Sequence, residues 1–301
     1  MSHAYSDAPR CQNTRQNDAC TKTDHLPRRS GALVRIAVAD RLRRQGARGL
    51  LDGATQAFDA RDYTLATQLL DSLQKTFPAE IAIQREALAL RPKVIEQATL
   101  LKISTNDSLM ALDQVTAEQT KKALRWVKEP RMVEGFHISP AAYKPDFMNS
   151  TGIQARVSEI GEFYIVSSAN PKLGHTSVAL SAGTSEAATP AVPYDGESNY
   201  RVGSGEVITF SPQQSDTIGS FALQNRGKAL TLTFRGKSRK AVKLTPAQVN
   251  GIADAYAYSS AITGARRLAA ERRKLEAMLQ VARNQMARTA AIDETADAAD
   301  K

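Results

Sequence analysis

The chain is poor in the residues that most often announce chemistry. Its 301 residues include two cysteines, four histidines and a single tryptophan, Trp126. Cys11 and Cys20, with only His3 and His25 near them in sequence, match no zinc-ligand spacing. No metal site and no cofactor are therefore expected. The cysteine-free remainder neither needs nor excludes an oxidising compartment. Aromatic residues make up 6% of the chain, too few for a stacking platform that holds single-stranded nucleic acid. No apolar run reaches the roughly 18 residues of a membrane span. A secretory leader, with basic start, apolar stretch and small-residue cleavage site, is also lacking.

The net charge of +9 looks like a nucleic-acid signature until it is located. Residues 1–50 hold ten Lys/Arg and four Asp/Glu, whereas the other 251 residues hold 30 and 27. Basicity belongs to the leading segment, and the body lacks the basic stripe on a structured element that duplex binding uses. Nucleic acid is not an expected partner.

Residues 1–49 read as a disordered leader, polar and turn-rich over the first 30 positions. Two alternatives stand beside that reading. Residues 31–50 suit a short basic helix at a membrane surface, with Leu33, Val34, Ile36, Val38 and Leu42 as its apolar set. Alternatively, the true start lies elsewhere and these residues are not made.

The helical period begins at about Leu50. Residues 53–78 carry Asp62-Tyr63, then Ala66, Leu70 and Leu73, then Pro78, a tetratricopeptide-like helical hairpin with no second copy. One such unit cannot bury its own apolar face and must pack on something else. Residues 79–128 continue as helix, with Val94, Ala98, Leu101, Leu109, Leu112 and Val115 in the stripe. Arg91-Pro92 should kink or break it, Ser104–Asp107 is a second soft point, and Glu129-Pro130 closes the segment.

The period then falls to two. Strands are expected at 153–158, 162–168, 175–181, 206–210, 217–223, 228–234 and 238–244, separated by turn residues, as in an antiparallel sandwich or barrel-like sheet. The last two, joined through Arg235-Gly236-Lys237, form the clearest hairpin. Thr245, Pro246 and Gln248 then make a capping box with proline at the first helical position. A coiled-coil-like helix follows over 245–290, with Leu268, Leu275, Leu279, Ala282 and Met286 in approximate heptads and Arg272 interrupting them. Residues 291–301 are an acidic tail expected to fray. The fold class is α+β: a β domain over 131–244 inserted between a helical region over 50–130 and the last helix, the long helices pairing as an antiparallel stalk. Apolar stripes on 94–115 and 252–286 should bury each other.

No catalytic residue is expected. His175 with Ser167, Ser168 and Glu159 invites comparison with a triad, but a nucleophile needs its base within hydrogen-bond reach, and no strained Gly-x-Ser-x-Gly elbow is present. His137 stands alone in a linker. Tyr194, Asp195, Asn199, Tyr200 and Arg201 combine aromatic surface, carboxylate, amide and guanidinium, a mixture suited to a glycan or small ligand. The same stretch is also good turn chemistry.

Val192-Pro193-Tyr194-Asp195-Gly196 with Asn199-Tyr200-Arg201 is distinctive. Together with Glu159, Gly161-Glu162, Tyr164, His175-Thr176, Leu244-Thr245, Asp71-Ser72-Leu73, Pro78–Ile81 and Arg85–Leu88, it resembles a group of uncharacterised cell-envelope proteins from Bacteroidetes-type bacteria, over residues 50–285. The resemblance implies a lipid-anchored or exported protein whose cysteine follows an apolar leader. Here neither Cys11 nor Cys20 follows such a run. The implied location is therefore the envelope or periplasm if the start differs, and the cytoplasm if Met1 is genuine. The expectation is a non-enzymatic structural or interaction protein with a protein partner or a second copy on its helices; the alternative is a carbohydrate- or ligand-binding module using the β domain.

Overall fold

The computed structural model describes residues 30–128 and 133–299, with side chains over 40–128 and 133–292. The expectations that concern residues 1–29 and Glu129-Pro130 lie outside the described residues.

Three helices come first: α1 (Ser30–Asp59), α2 (Tyr63–Thr76) and α3 (Ile81–Lys121). The leader boundary at 49 is corrected, because α1 runs straight across it. Ala47 is fully buried in one core with Leu51, Ala54 and Ala57. A helix whose exposed side is rich in Arg and Gln looks like a tail by composition, yet its small-residue stripe lets α2 approach closely. Residues 40–46 remain exposed. Arg61 takes a left-handed φ of 62° in the turn, and the Asp62 carboxylate accepts the Leu65 amide at 2.9 Å as N-cap of α2. Ala66, Leu70 and Leu73 pack on α1, and Ile83, Ala87 and Val94 of α3 complete this core. The Gln84 amide donates to the carbonyls of Leu73 (3.0 Å) and Phe77 (2.9 Å), which the end of α2 leaves open.

α3 is continuous over 41 residues, through both Pro92 and Ser104–Asp107. An interior proline costs about 3 kcal/mol. Here Pro92 is buried between Ala87 and Val94, and the burial of those neighbours outweighs the lost hydrogen bond. The helix ends at Lys121, earlier than expected, and the β region accordingly begins at 125 rather than 131.

The strands are β1 (Arg125–Val127), β2 (Phe136–Ile138), β3 (Gly152–Ser158), β4 (Phe163–Ala169), β5 (His175–Ala182), β6 (Ser185–Ala188), β7 (Asn199–Val202), β8 (Gly205–Phe210), β9 (Leu230–Gly236) and β10 (Lys240–Leu244). They form two antiparallel sheets, one in the order β1-β2-β3-β4-β8-β7 and one in the order β10-β9-β5-β6. β1, β2, β6 and β7 went unread in the sequence. Each has three or four residues, too few for alternation to register.

Residues 217–223 are not a strand. They lie in helix α4 (Pro212–Gln224), which opens on a capping box: Gln214 Oε1 accepts the Ser211 amide at 2.9 Å and Ser211 Oγ accepts the Gln214 amide at 3.4 Å. The segment TIGSFAL carries both periods. Ile218, Phe221 and Ala222 share a helical face and are buried, and the cap upstream resolves the ambiguity.

The final helix, α5 (Pro246–Ala299), begins on the Thr245–Gln248 box, with Gln248 Oε1 accepting the Thr245 amide at 2.9 Å. It extends to Ala299, past the expected end near 290, through an alanine-rich stretch of high helix propensity. One core draws Ile165, Ile208 and Phe210 from the six-stranded sheet, Val178, Leu232 and Phe234 from the other, Ile218 and Phe221 from α4 and Val249 and Ile252 from α5.

α3 and α5 also touch. Arg283 pairs with Glu96 at 2.8 Å, Arg272 with Asp107 at 2.9 Å, and Gly264 packs on Asp113. The residue numbers fall on one helix as they rise on the other. α5 buries Leu268, Leu275, Leu279 and Ala282, but the expected stripe on α3 is corrected. Leu101, Leu109, Leu112 and Val115 are 58%, 45%, 61% and 50% exposed. The more sheltered positions are Thr99, Ile103, Asn106, Met110 and Asp113. α3 has two faces of nearly equal apolarity, and periodicity alone does not say which of them meets α5.

Candidate functional site

The five residues read as a ligand set lie on a turn and the edge strand β7. Asp195 is committed to its own turn: its carboxylate accepts the amides of Asn199 (2.8 Å) and Glu197 (2.9 Å), which hold its carboxyl below the ordinary carboxylate value. Gly196, at φ 79°, donates its amide to the Asn199 carbonyl at 3.0 Å. Neighbouring residues on a strand point to opposite faces, and β7 divides the set in this way. Asn199 is buried, and its side-chain amide donates to the carbonyls of Val192 (2.8 Å) and His175 (3.4 Å). Tyr200 turns the other way and packs with Phe147, Val166 and Val207, where burial raises its phenol. Only Tyr194 and Arg201 meet at the surface, with the guanidinium 4.7 Å from the ring centroid. The five side chains do not converge on one ligand.

A different polar array lies inside the domain. Ser167 Oγ, on β4, is 2.8 Å from His175 Nε2, and His175 Nδ1 hydrogen-bonds the carboxylate of Glu206, on β8. The partner of His175 is Glu206, not Glu159. Glu206 also accepts three main-chain amides, those of Leu173 (3.1 Å), Gly174 (3.0 Å) and His175 (2.9 Å). An ionised Glu206 takes Nδ1–H, which leaves Nε2 of a neutral imidazole to accept the Ser167 hydroxyl. The Phe234 ring stands edge-on to His175 at 5.1 Å.

The connectivity is that of a Ser-His-carboxylate triad. Its setting is different, because Ser167, His175 and Glu206 are all buried. A nucleophile must touch its substrate, and the Ser167 hydroxyl has no exposed surface. In this conformation the array is a strut. It fastens the corner where the chain leaves β4 in one sheet and enters β5 in the other. Sequence reading missed Glu206 because it is 31 residues from its partner and no local pattern marks it.

The strut titrates. Burial holds the His175 pKa below its ordinary 6.5, against the pull of Glu206. For Glu206, burial pushes upward, but the amides of His175 and Leu173 and the His175 ring together hold it below 4.5. In both cases the unfolded chain binds more protons across the window, so stability rises with pH. The His175 contribution is fully present above pH 6.5 and is lost as pH falls below that value; the Glu206 contribution is lost below 4.5. The urea midpoint is expected to fall in two stages between pH 8 and pH 3.5. A midpoint that stays level from pH 7.5 to 5 would contradict the buried neutral histidine.

His137 is not in a linker but in β2, its ring between Trp126 (4.8 Å) and Tyr258 (5.2 Å). Burial, then Lys121, lowers its pKa. Among the described residues no group of three or more His, Cys, Asp or Glu side chains is placed to hold a metal ion, and no helix is long and apolar enough to cross a membrane. The chain matches no protein-family model, no curated protein and no solved structure.

Proposed function

We propose that this chain is a non-enzymatic structural protein, of the bacterial cell envelope by its motif resemblance, that associates with a second copy of itself through α3. In this reading α3 and α5 pair as an antiparallel stalk, and the two sheets with α4 form a sandwich-like head at its tip. The observation that carries the reading is the uncovered stripe on α3. Ile83, Ala87, Leu90 and Val94 follow steps of four and three and lie under the α1–α2 hairpin. The same steps continue through Ala98, Leu101, Thr105, Ser108, Leu112 and Val115, where the leucines and the valine stand exposed. The stripe is one surface, and among the described residues only its first part is covered by the chain's own helices.

A helix already covers that first part, so a helix of a second copy suits the rest, and a two-fold axis would bring the two stripes onto each other. Full burial of an exposed Leu or Val side chain contributes about 1.5–3 kcal/mol. Leu101, Leu112 and Val115 start half exposed, so about half of that per side chain, from three on each copy, offsets part of the cost of association. Sedimentation velocity is expected to show a dimer that dissociates on dilution. Leu101→Glu with Leu112→Glu, at exposed positions, is expected to yield monomer, with helicity unchanged and with melting equal to that of the wild type at concentrations dilute enough for the wild type to be monomeric. A wild-type monomer at every concentration, or a dimer undisturbed by both substitutions, would remove this reading.

A further inference from the structure

A cleft of about 490 Å³ opens between the start of α4 and the first third of α5. It shares no lining residue with the 194–201 turn or the buried strut. Its wall mixes polar groups, from Glu162, Gln213, Asp216 and Thr263, with the apolar surface of Phe163 and Pro212. A second hollow of about 260 Å³ continues past Ser260 and Thr263 to Arg267.

The Tyr256 ring is held from three sides. Its hydroxyl donates to Asp216 Oδ1 at 2.8 Å, and its ring meets Phe163 edge-on at 5.2 Å. It also lies against Gly219, where an added Cβ would come within 2.2 Å of the ring. Side chains fixed by packing and second hydrogen bonds are what a binding site requires. Neither Glu162 nor Asp216 has an ion-pair partner among the described residues. Glu162 and Asp216 both line the groove, so its wall carries acidic side chains that no basic group among the described residues neutralises.

We propose that this cleft binds a neutral saccharide. Two acidic side chains without a basic partner among the described residues disfavour phosphate groups, and the amide, hydroxyl and carboxylate groups interspersed along the wall disfavour a lipid tail. A sugar meets both features of the cleft. Its hydroxyls donate to carboxylate oxygens and accept from the Gln213 amide, while its C–H groups pack on an aromatic ring. A volume of about 490 Å³ falls in the range of small-molecule sites. The site is separate from the α3 stripe, so either proposal stands or falls without the other.

Saturation-transfer NMR on the full chain, with glucose, N-acetylglucosamine, cellobiose and glucosamine as probes, tests it. Transfer to ring protons of at least one neutral sugar is expected, weakened at least about tenfold in Glu162→Gln/Asp216→Asn by the loss of charge-assisted acceptors. Thr263→Trp, at an exposed position, is expected to fill the hollow and abolish transfer with melting unchanged, which separates loss of the site from loss of the fold. Three results overturn the proposal: no transfer to any neutral probe, transfer that survives both variants, or binding of glucosamine alone, which would mark an ammonium site.

Discussion

Replacing Glu206 with alanine is expected to lower the unfolding free energy by about 3 kcal/mol, the upper end for hydrogen bonds to a charged group, because several are lost together. The carboxylate receives the amides of Leu173, Gly174 and His175 and the His175 ring, all in one buried corner. Alanine leaves those donors without an acceptor, and an unsatisfied buried group costs about 1–3 kcal/mol. Glu206→Gln keeps one oxygen but replaces the other with a donor that faces amides, so about half the effect is expected. Domains of this size are stable by about 5–15 kcal/mol in total, and the alanine variant therefore approaches the threshold of folding. Urea unfolding followed by circular dichroism should show a lower midpoint with an unchanged slope. A loss under about 1 kcal/mol would mean that water or another group readily takes the carboxylate's place.

Gly236→Ala is expected to destabilise by about 3 kcal/mol or more, at or beyond the upper end of ordinary overpacking. An added Cβ would sit 2.1 Å from the Gly174 carbonyl oxygen and 2.5 Å from the His175 Cα. Both are main-chain atoms, so no side-chain rotation relieves the contact. The β5–β9 pairing already shifts register between His175 and Ser177, and separating the strands there would strain the Lys237 amide bond to Gly174 (3.0 Å). Because Gly174 also donates to Glu206, the two substitutions act on one corner. The double variant is expected to lose less than the sum of the single losses. Full additivity in a double-mutant cycle would show that the corner is not a unit.

Local chemistry was the legible part. The Thr245–Gln248 box names the start of α5 because donor and acceptor lie three residues apart. The β9–β10 hairpin announces itself through alternation on both sides of a short polar turn, although Gly236, read as part of that turn, is the last residue of β9. Residues 217–223 misled for a matching reason: seven residues fit either period, and the deciding bond was made upstream by Ser211 and Gln214. Of the five residues proposed as a ligand set, the turn role of Asp195 was readable, but the opposite directions of Asn199 and Tyr200 required β7 to be recognised as a strand.

By itself the sequence determined the α+β class, the long helix on either side of the β region, the β character of the middle and the capped entry into α5. Each of these depends on groups within a turn or two of one another, or on a period that persists over many residues. The tertiary structure alone decided that Ala47 belongs to a core, that Leu101 and Leu112 face outward, and that His175 is partnered by Glu206 rather than Glu159. These outcomes turn on which of two comparable surfaces finds a neighbour and on a hydrogen bond spanning 31 residues. That competition is settled by how the whole chain packs, and no window along it contains both competitors.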